Sequence, residues 1–379
     1  MQQPIYLDYN ATTPVDPLVV EAMLPYLREH FGNPSSSHPY GVRAMVGVEQ
    51  AREQVAALLG AHPDEIVFTS GGSESNNLVI KGIVEANRNR GNHIITSQVE
   101  HPAILNPCRY LEQRGFAVTY LPVDAYGMVN PEDVAQAITR QTILITIMHA
   151  NNEVGTIQPL TAIGRIARTY NIPFHTDAAQ SVGKIPTQVE ALQVDLLTVA
   201  GHKLYAPKGV GALYIRRGIL LEPLIHGAGH ENGRRASTEN VAGIVGLGEA
   251  CRIAGENLAG TAGRLRELRD RLHQGLTAHV AGLRLNGHLT ERLPNTLNLS
   301  FAGLDSSILL ENLPEVAAST GSACHAGHTE PSAVLLAMGV PPELALGAVR
   351  FSLGRWTTPE EVDQTIMFLV EQLKSTGKL

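Results

Sequence analysis

Through the first two thirds of the chain, short apolar runs alternate with stretches whose apolar residues recur every three or four positions. EIVFTS (65–70), HIITS (93–97), AVTYLPV (117–123), TILITIMH (142–149), IPFHTDAA (172–179), DLLTVAG (195–201) and GALYIRR (211–217) predict seven strands. Most are nearly continuous in hydrophobicity, as strands buried on both faces must be. Residues 73–89, 102–115, 131–139 and 160–170 carry helical periodicity between them. The alternation predicts an α/β fold, with a mostly parallel seven-stranded sheet sandwiched by helices.

From about Glu239 the pattern changes. Helical spacing continues to about residue 280, through TAGRLRELRDRLHQGL, as one long helical region. LRLNG, NTLNLSF and VRFSLG then predict strands, mixed with helices near 305–313, 331–338 and 359–374. This predicts a second, smaller α+β domain whose boundary lies inside the long helix. The expected division is a large domain over 16–255 and a small one made of 256–379 with the turn-rich residues 1–15.

Composition narrows the function. At 44% hydrophobic and 17% charged the chain is neither disordered nor membrane-like. Its 29 Lys and Arg against 36 Asp and Glu give a net charge of −7. A protein that grips nucleic-acid phosphates needs a basic excess, so no direct nucleic-acid partner is expected. Three irregularly spaced cysteines make no disulfide framework, which suits a reducing compartment. No apolar run reaches the roughly 18 residues of a membrane span, and the first residues lack the features of a signal peptide. The expectation is a cytoplasmic protein without membrane contact.

Ligands of an open α/β sheet bind at the carboxyl ends of its strands. After the first predicted strand, Gly71-Gly72-Ser73-Glu74-Ser75-Asn76-Asn77 opens a helix. Glycine lets the backbone approach a ligand and a helix N-terminus attracts an anion, so this is a candidate phosphate cradle; it also reads as an ordinary turn with a serine cap. The following strands lead to His101, to Asn151-Asn152-Glu153, to Asp177 and Gln180, and to His202-Lys203. Singly, each suits a polar loop. Together they bring phosphate donors, an imidazole, a carboxylate with a nearby amide, and a lysine to one rim. Pyridoxal 5'-phosphate needs that set: a lysine for its aldehyde, a carboxylate for its pyridine nitrogen, and donors for its phosphate. Lys203 and Asp177 fit the first two roles.

The motifs YLDYNATTP, GNPSSSH, TSGGSESNN, EHPAIL, NNEVGTIQP, HTDAAQ, GHKLYAPKG, RRASTEN, GSACHAG and VRFSLGR follow one another along the whole chain. In that order they resemble the cysteine desulfurases of the NifS/IscS type, in the class V aminotransferase family of fold-type I pyridoxal phosphate enzymes. The resemblance implies that Lys203 bonds the cofactor and shuttles a proton, and that Asp177 pairs with the pyridine nitrogen. It implies that Gln180 donates to the phenolic oxygen and that His101 stacks on the ring and serves acid–base steps. Gly72, Ser73 and His202 would hold the phosphate, with Thr238 reaching the phosphate of a neighbouring subunit in a homodimer. Asn152 and Arg350 would take the substrate carboxylate, a role that suits the planar two-pronged fork of arginine. Relatives commonly carry serine where this chain has Ala200, so one phosphate hydroxyl is missing and a compensating donor such as Ser73 or water is expected.

Cys324 lies in STGSACHAGHTEP, among small residues. Its type and surroundings admit a nucleophile, a metal ligand with His325 and His328, or a loop cysteine of no special role. A fourth ligand at zinc-like spacing is missing, so no metal is expected. The resemblance makes Cys324 the nucleophile that takes sulfur from L-cysteine, leaving L-alanine and a persulfide for a sulfur-acceptor protein such as an iron–sulfur scaffold. Gly321 and Gly327 flank it as hinges, and a charged His325 would lower the thiol pKa. Cys108, on the apolar face Ile104-Leu105-Cys108-Leu111, and Cys251 read as core positions. A selenocysteine lyase resembles the same stretch. A class V aminotransferase would have no need of Cys324, and a non-catalytic scaffold would have no need of Lys203.

Overall fold

The structure, a computed structural model, describes residues 3–320 and 330–375. After β1 (Ile5–Tyr6), seven strands build one sheet: β2 (Ile66–Thr69), β3 (His93–Ser97), β4 (Ala117–Leu121), β5 (Thr142–Thr146), β6 (Phe174–Asp177), β7 (Leu196–Ala200) and β8 (Gly211–Ile215). Their order is β2-β8-β7-β6-β5-β3-β4, with β8 antiparallel to both neighbours and the other pairs parallel. The α/β reading with its mostly parallel seven-stranded sheet therefore holds.

Alternation along each strand divides the core between two faces. Phe68, Ile95, Ile145, Phe174 and Tyr214 pack on one side with helices Pro39–Leu59, Leu160–Thr169 and Val241–Glu256. Val67, Ile94, Leu144, Leu196 and Leu213 pack on the other with Gly72–Ala86 and Pro102–Glu112. Cys108 and Cys251 are buried in these two clusters, and burial pushes both thiols up to about 12.

β9 (Arg284–Asn286), β10 (Thr296–Ser300) and β12 (Ala348–Ser352) form an antiparallel sheet of order β12-β10-β9. A further core gathers there, from Leu297, Leu299 and Phe351 on the sheet to Leu268, Leu272 and Leu369 on helices Leu258–His279 and Pro359–Ser375. Between these sheets the expected single helical region is two helices, broken at Asn257 with φ −143° and ψ 45°. Gly255, Asn257 and Gly260 around the break are poor helix formers, which the apolar spacing on either side conceals.

Two long helices escape the hydrophobic pattern, Pro17–Arg28 and Pro39–Leu59, as do the short Val189–Leu192 and Pro342–Leu346. Of the long pair, the first carries an internal proline, Pro25. The second buries mainly small residues. It lies so close to helix Val241–Glu256 that a Cβ on Gly248 would come within 2.5 Å of the Ala51 Cα. Contact of that kind leaves little apolar periodicity to read.

The N-terminal stretch bridges both parts. β1 pairs in parallel with β11 (Val316–Ala317), and the Ser352 N–H donates to the Leu7 carbonyl at 2.7 Å. A few residues on, the Thr13 and Asp16 amides donate to the carbonyls of His202 and Tyr205 at 2.9 and 3.0 Å. No helix among the described residues is long and apolar enough to cross a membrane.

A buried ion pair ties a strained segment to the sheet edge. Glu231 and Asn232 have φ of 50° and 56°. The Glu231 carboxylate accepts two bonds from Arg52, at 2.8 and 2.9 Å, and one from the Phe68 N–H at 2.8 Å. Removing one partner of a buried pair leaves the other charge uncompensated. Glu231→Ala is expected to lower the unfolding free energy by about 3–5 kcal/mol, read from a urea transition with unchanged slope; a loss below about 1 kcal/mol would contradict the buried pairing.

Candidate active site

A cavity of about 640 Å³ opens where β3, β5, β6 and β7 end. Gly72, Ser73, His101, Asn152, Asp177, Gln180, His202 and Lys203 all line it. Thr238 and Arg350 do not: Thr238 is exposed, and Arg350 is buried one step behind Asn152. Cys324, with Gly321, His325, Gly327 and His328, lies outside the described residues. Among those described, no cluster of three or more His, Cys, Asp or Glu side chains is placed to hold a metal ion.

At one end of the cavity, helix Gly72–Ala86 presents its N-terminus. The cap is Gly71 and not a serine: it sits at φ 149°, a conformation that favours glycine, and makes no side-chain capping bond. Four orphan N–H groups and the positive end of the helix dipole make this end attractive to an anion. Ala200 borders it, its Cβ 3.3 Å from where a Cβ on Gly72 would lie. Ser70, Ser73, Thr12 and His202 line the same cavity. His202 Nδ1 lies 3.1 Å from Thr12 Oγ1, and burial, with Lys203 and Lys208 nearby, pushes the imidazole down to about 4. It is therefore a neutral ring at physiological pH.

Asp177 ends β6 as a buried carboxylate with both oxygens oriented. Oδ2 accepts from Asn76 Nδ2 at 2.7 Å and Oδ1 from the Ala179 N–H at 2.9 Å. His101 caps helix Pro102–Glu112, its Nδ1 accepting the Ala103 N–H at 3.1 Å. Neutral His101 thus carries its proton on Nε2. Its pKa is lowered by desolvation, with Asp177 opposing and Lys203 adding. Behind the rim, the fully buried Glu100 accepts from Ser97 Oγ at 2.8 Å and the Met148 N–H at 2.9 Å. Desolvation pushes its carboxyl up to about 8.

Lys203 reaches the cavity from the loop after β7, and its Nζ donates to the Asn10 carbonyl. Burial, with Arg350 repelling, pushes the amine down to about 8 against the pull of Asp177 and Asp8. The same carbonyl accepts Gln180 Nε2 at 2.9 Å. The Asn10 side chain spreads further: Nδ2 donates to the Asn152 carbonyl at 3.2 Å and to Thr296 Oγ1 at 2.9 Å. Arg350, on β12, gives Nη2 to Asp8 at 2.7 Å and Nη1 to the Asn152 carbonyl at 3.1 Å, while its buried Nε has no partner among the described residues.

Asn10, Thr12, Asn76 and Asp8 have functional positions that motif reading assigned to none of them. Asn10 and Asn76 sit inside YLDYNATTP and TSGGSESNN. The signal was present in the motifs, but not the folding that brings residue 10 within bonding distance of residue 203.

Known proteins match this chain over nearly its whole length. The family model for class-V aminotransferases matches residues 5–365. A cysteine desulfurase IscS of Dictyoglomus turgidum is 52% identical over 380 residues, 99% of this chain and 96% of that protein. The solved structure of a NifS-like protein superposes with a TM-score of 0.93 at 42% identity, covering 98% of this chain and 100% of the other. That of SspA in complex with cysteine gives 0.82 at 40%, covering 93% and 99%.

The depressed Lys203 amine makes a direct prediction. Only the neutral amine is nucleophilic, so with the cavity empty acylation of Lys203 by a small reagent should rise with pH through a midpoint near 8, followed by peptide mass spectrometry. Exposed lysines titrate near ~10.4; a Lys203 midpoint at that value would refute the desolvated cavity setting.

Proposed function

The chain belongs to the class-V aminotransferase family and is a cysteine desulfurase, and we propose that it works with pyridoxal 5'-phosphate held at the carboxyl ends of the sheet. The single observation that carries this reading is the meeting of Lys203, Asp177 and the N-terminus of helix Gly72–Ala86 in one cavity. The residues fit the group: a depressed amine for the aldehyde, an oriented carboxylate for the pyridine nitrogen, and a helix N-terminus for the phosphate. When bound, the cofactor supplies an electron sink that loosens bonds at the substrate's carbons.

This chain's residues do the rest. Asp177, fixed by Asn76 and Ala179, holds a proton on the ring nitrogen. Gln180 would give an amide N–H to the phenolic oxygen, and His101, with its proton on Nε2, would face the ring. Gly72, Ser73 and His202 would hold the phosphate, with Thr12 and Ser73 supplying the hydroxyls that Ala200 lacks. The Lys203 amine would move the proton at Cα.

Asn152 and Arg350 take the carboxylate of L-cysteine. Because Asp8 and the Asn152 carbonyl already occupy the Arg350 fork, substrate must share it or displace Asp8. The thiolate of Cys324 then attacks the substrate sulfur. A sulfur–sulfur bond forms as the sulfur–Cβ bond breaks; its electron pair and a proton remain with the carbon skeleton, which leaves as alanine. The persulfide on Cys324 is carried to an acceptor protein, for which an iron–sulfur scaffold is a candidate.

The site belongs to a homodimer in this reading. Thr238 is exposed and does not line its own cavity, which leaves it free to reach that of a second copy. Phe31, Tyr40, Val42 and Val46 form an exposed apolar set, Phe31 at 71%, of the kind an interface covers. Phe31→Glu with Val46→Glu is expected to shift sedimentation from dimer to monomer and weaken cofactor retention; an unchanged dimer would rule this face out.

Purified protein incubated with L-cysteine should yield alanine and a trapped persulfide on Cys324 by mass spectrometry. Cys324→Ser should lose sulfur transfer by about 100-fold or more while keeping its cofactor colour. Lys203→Ala should be colourless in the visible. Full turnover in Cys324→Ser would favour an aminotransferase, and turnover confined to L-selenocysteine a selenocysteine lyase.

A further inference from the structure

Behind the cavity wall lies a buried amine that the reaction above leaves unused. Lys184 is 9% exposed and closes the turn that follows Asp177. Its Nζ donates to Gln180 Oε1 at 2.9 Å and to Asn10 Oδ1 at 3.2 Å. Burying an amine is costly unless its hydrogen bonds are satisfied, and a methionine would fill the same space without that cost. The amine is therefore retained for what it holds.

What it holds follows from donor chemistry. A charged lysine has three N–H bonds and no acceptor. Its partner on Gln180 must therefore be the amide oxygen. That turns the NH2 of Gln180 the other way, where one hydrogen meets the Asn10 carbonyl at 2.9 Å and the second is left for the cavity that Gln180 lines. Asn10 Oδ1 has a further donor in Asn295 Nδ2 at 3.1 Å, whereas Gln180 Oε1 has Lys184 alone among the described residues. The Gln180 amide is thus oriented from both ends, by Lys184 at its oxygen and by the Asn10 carbonyl at its nitrogen, and Lys184 is the contact that its oxygen would lose.

We infer that Lys184 is a positioning residue: it locks the side-chain amide of Gln180 so that an N–H donor, and never the carbonyl oxygen, faces the group bound in the cavity. The inference rests on the cofactor reading above, in which that donor meets the phenolic oxygen. The charged groups facing Lys184 are Lys203 and Arg350, which together with burial push its amine down to about 7. The charged form enforces the lock, because it can only donate, whereas the neutral amine has two N–H bonds and a lone pair.

The test uses the full-length, cofactor-loaded protein and reads its visible absorbance against pH. That titration reports the proton shared between the Lys203 nitrogen and the phenolic oxygen. A fixed donor at the oxygen favours the deprotonated form, so losing one hydrogen bond should raise the midpoint by about half to one pH unit. Gln180→Leu and Lys184→Met should each show this rise, and the double variant should rise no further than Gln180→Leu alone. Lys184→Gln, which keeps an N–H donor, should recover at least half of the shift, and it carries the test if Lys184→Met does not fold.

An unmoved midpoint in the Lys184 variants beside a shifted one in Gln180→Leu would overturn the inference. So would shifts that add in the double variant, because Lys184 would then act independently of Gln180. Failure of the wild-type protein to take up pyridoxal phosphate, or to colour with it, is a separate outcome that overturns the cofactor reading itself.

Discussion

The backbone carbonyl of Asn10 is the point on which the cavity depends. One oxygen receives both Lys203 Nζ and Gln180 Nε2, two groups from different loops of the large sheet. The side chain of the same residue reaches the Asn152 carbonyl and Thr296 on β10, and its N–H donates to Ser352 Oγ on β12 at 2.9 Å. A turn can do this because its own backbone groups have no helix or sheet ladder to satisfy them. The cavity is thus assembled from two sheets by a segment belonging to neither.

The electrostatics follow from that closure. Two amines, Lys203 and Lys184, lie near the same asparagine within the field of Arg350, and burial is the main cause of both depressed pKa values. Elsewhere in the interior, burial raises Glu100 to about 8 and Glu153 to about 7. Cations losing charge while carboxyls gain protons is what a poorly hydrated interior imposes on the groups buried in it. Asp177 is provided with two N–H donors, from Asn76 and Ala179.

Much of the sheet was legible in the sequence because strands buried on both faces betray themselves by composition, without need of periodicity. All seven runs became strands of one sheet, and the polar residues just past their ends gathered around one cavity. The helices before residue 60 were not legible: Pro39–Leu59 is held by close approach of small residues, which leaves no amphipathic stripe. The break at Asn257 was hidden because apolar spacing continues through it. Within the site, strand-end position found Asp177 and Lys203, and resemblance gave roles to Gln180 and Arg350. Neither could find Asn10 or Lys184, since each acts through a contact made across more than 170 residues or behind the wall.

Arg350 illustrates what geometry adds to a residue already expected. A guanidinium meant for a substrate carboxylate is an uncompensated buried charge whenever the substrate is absent, and such a charge destabilises the fold. Here Asp8 supplies a carboxylate from the chain itself, at 2.7 Å, while the Asn152 carbonyl takes the second nitrogen. The two polar partners hold the buried Arg350 in place behind Asn152. Asp8 lies two residues before Asn10, so the segment that gathers the amines also holds the arginine, and the polar groups on which binding and proton transfer depend are set by one short stretch of chain.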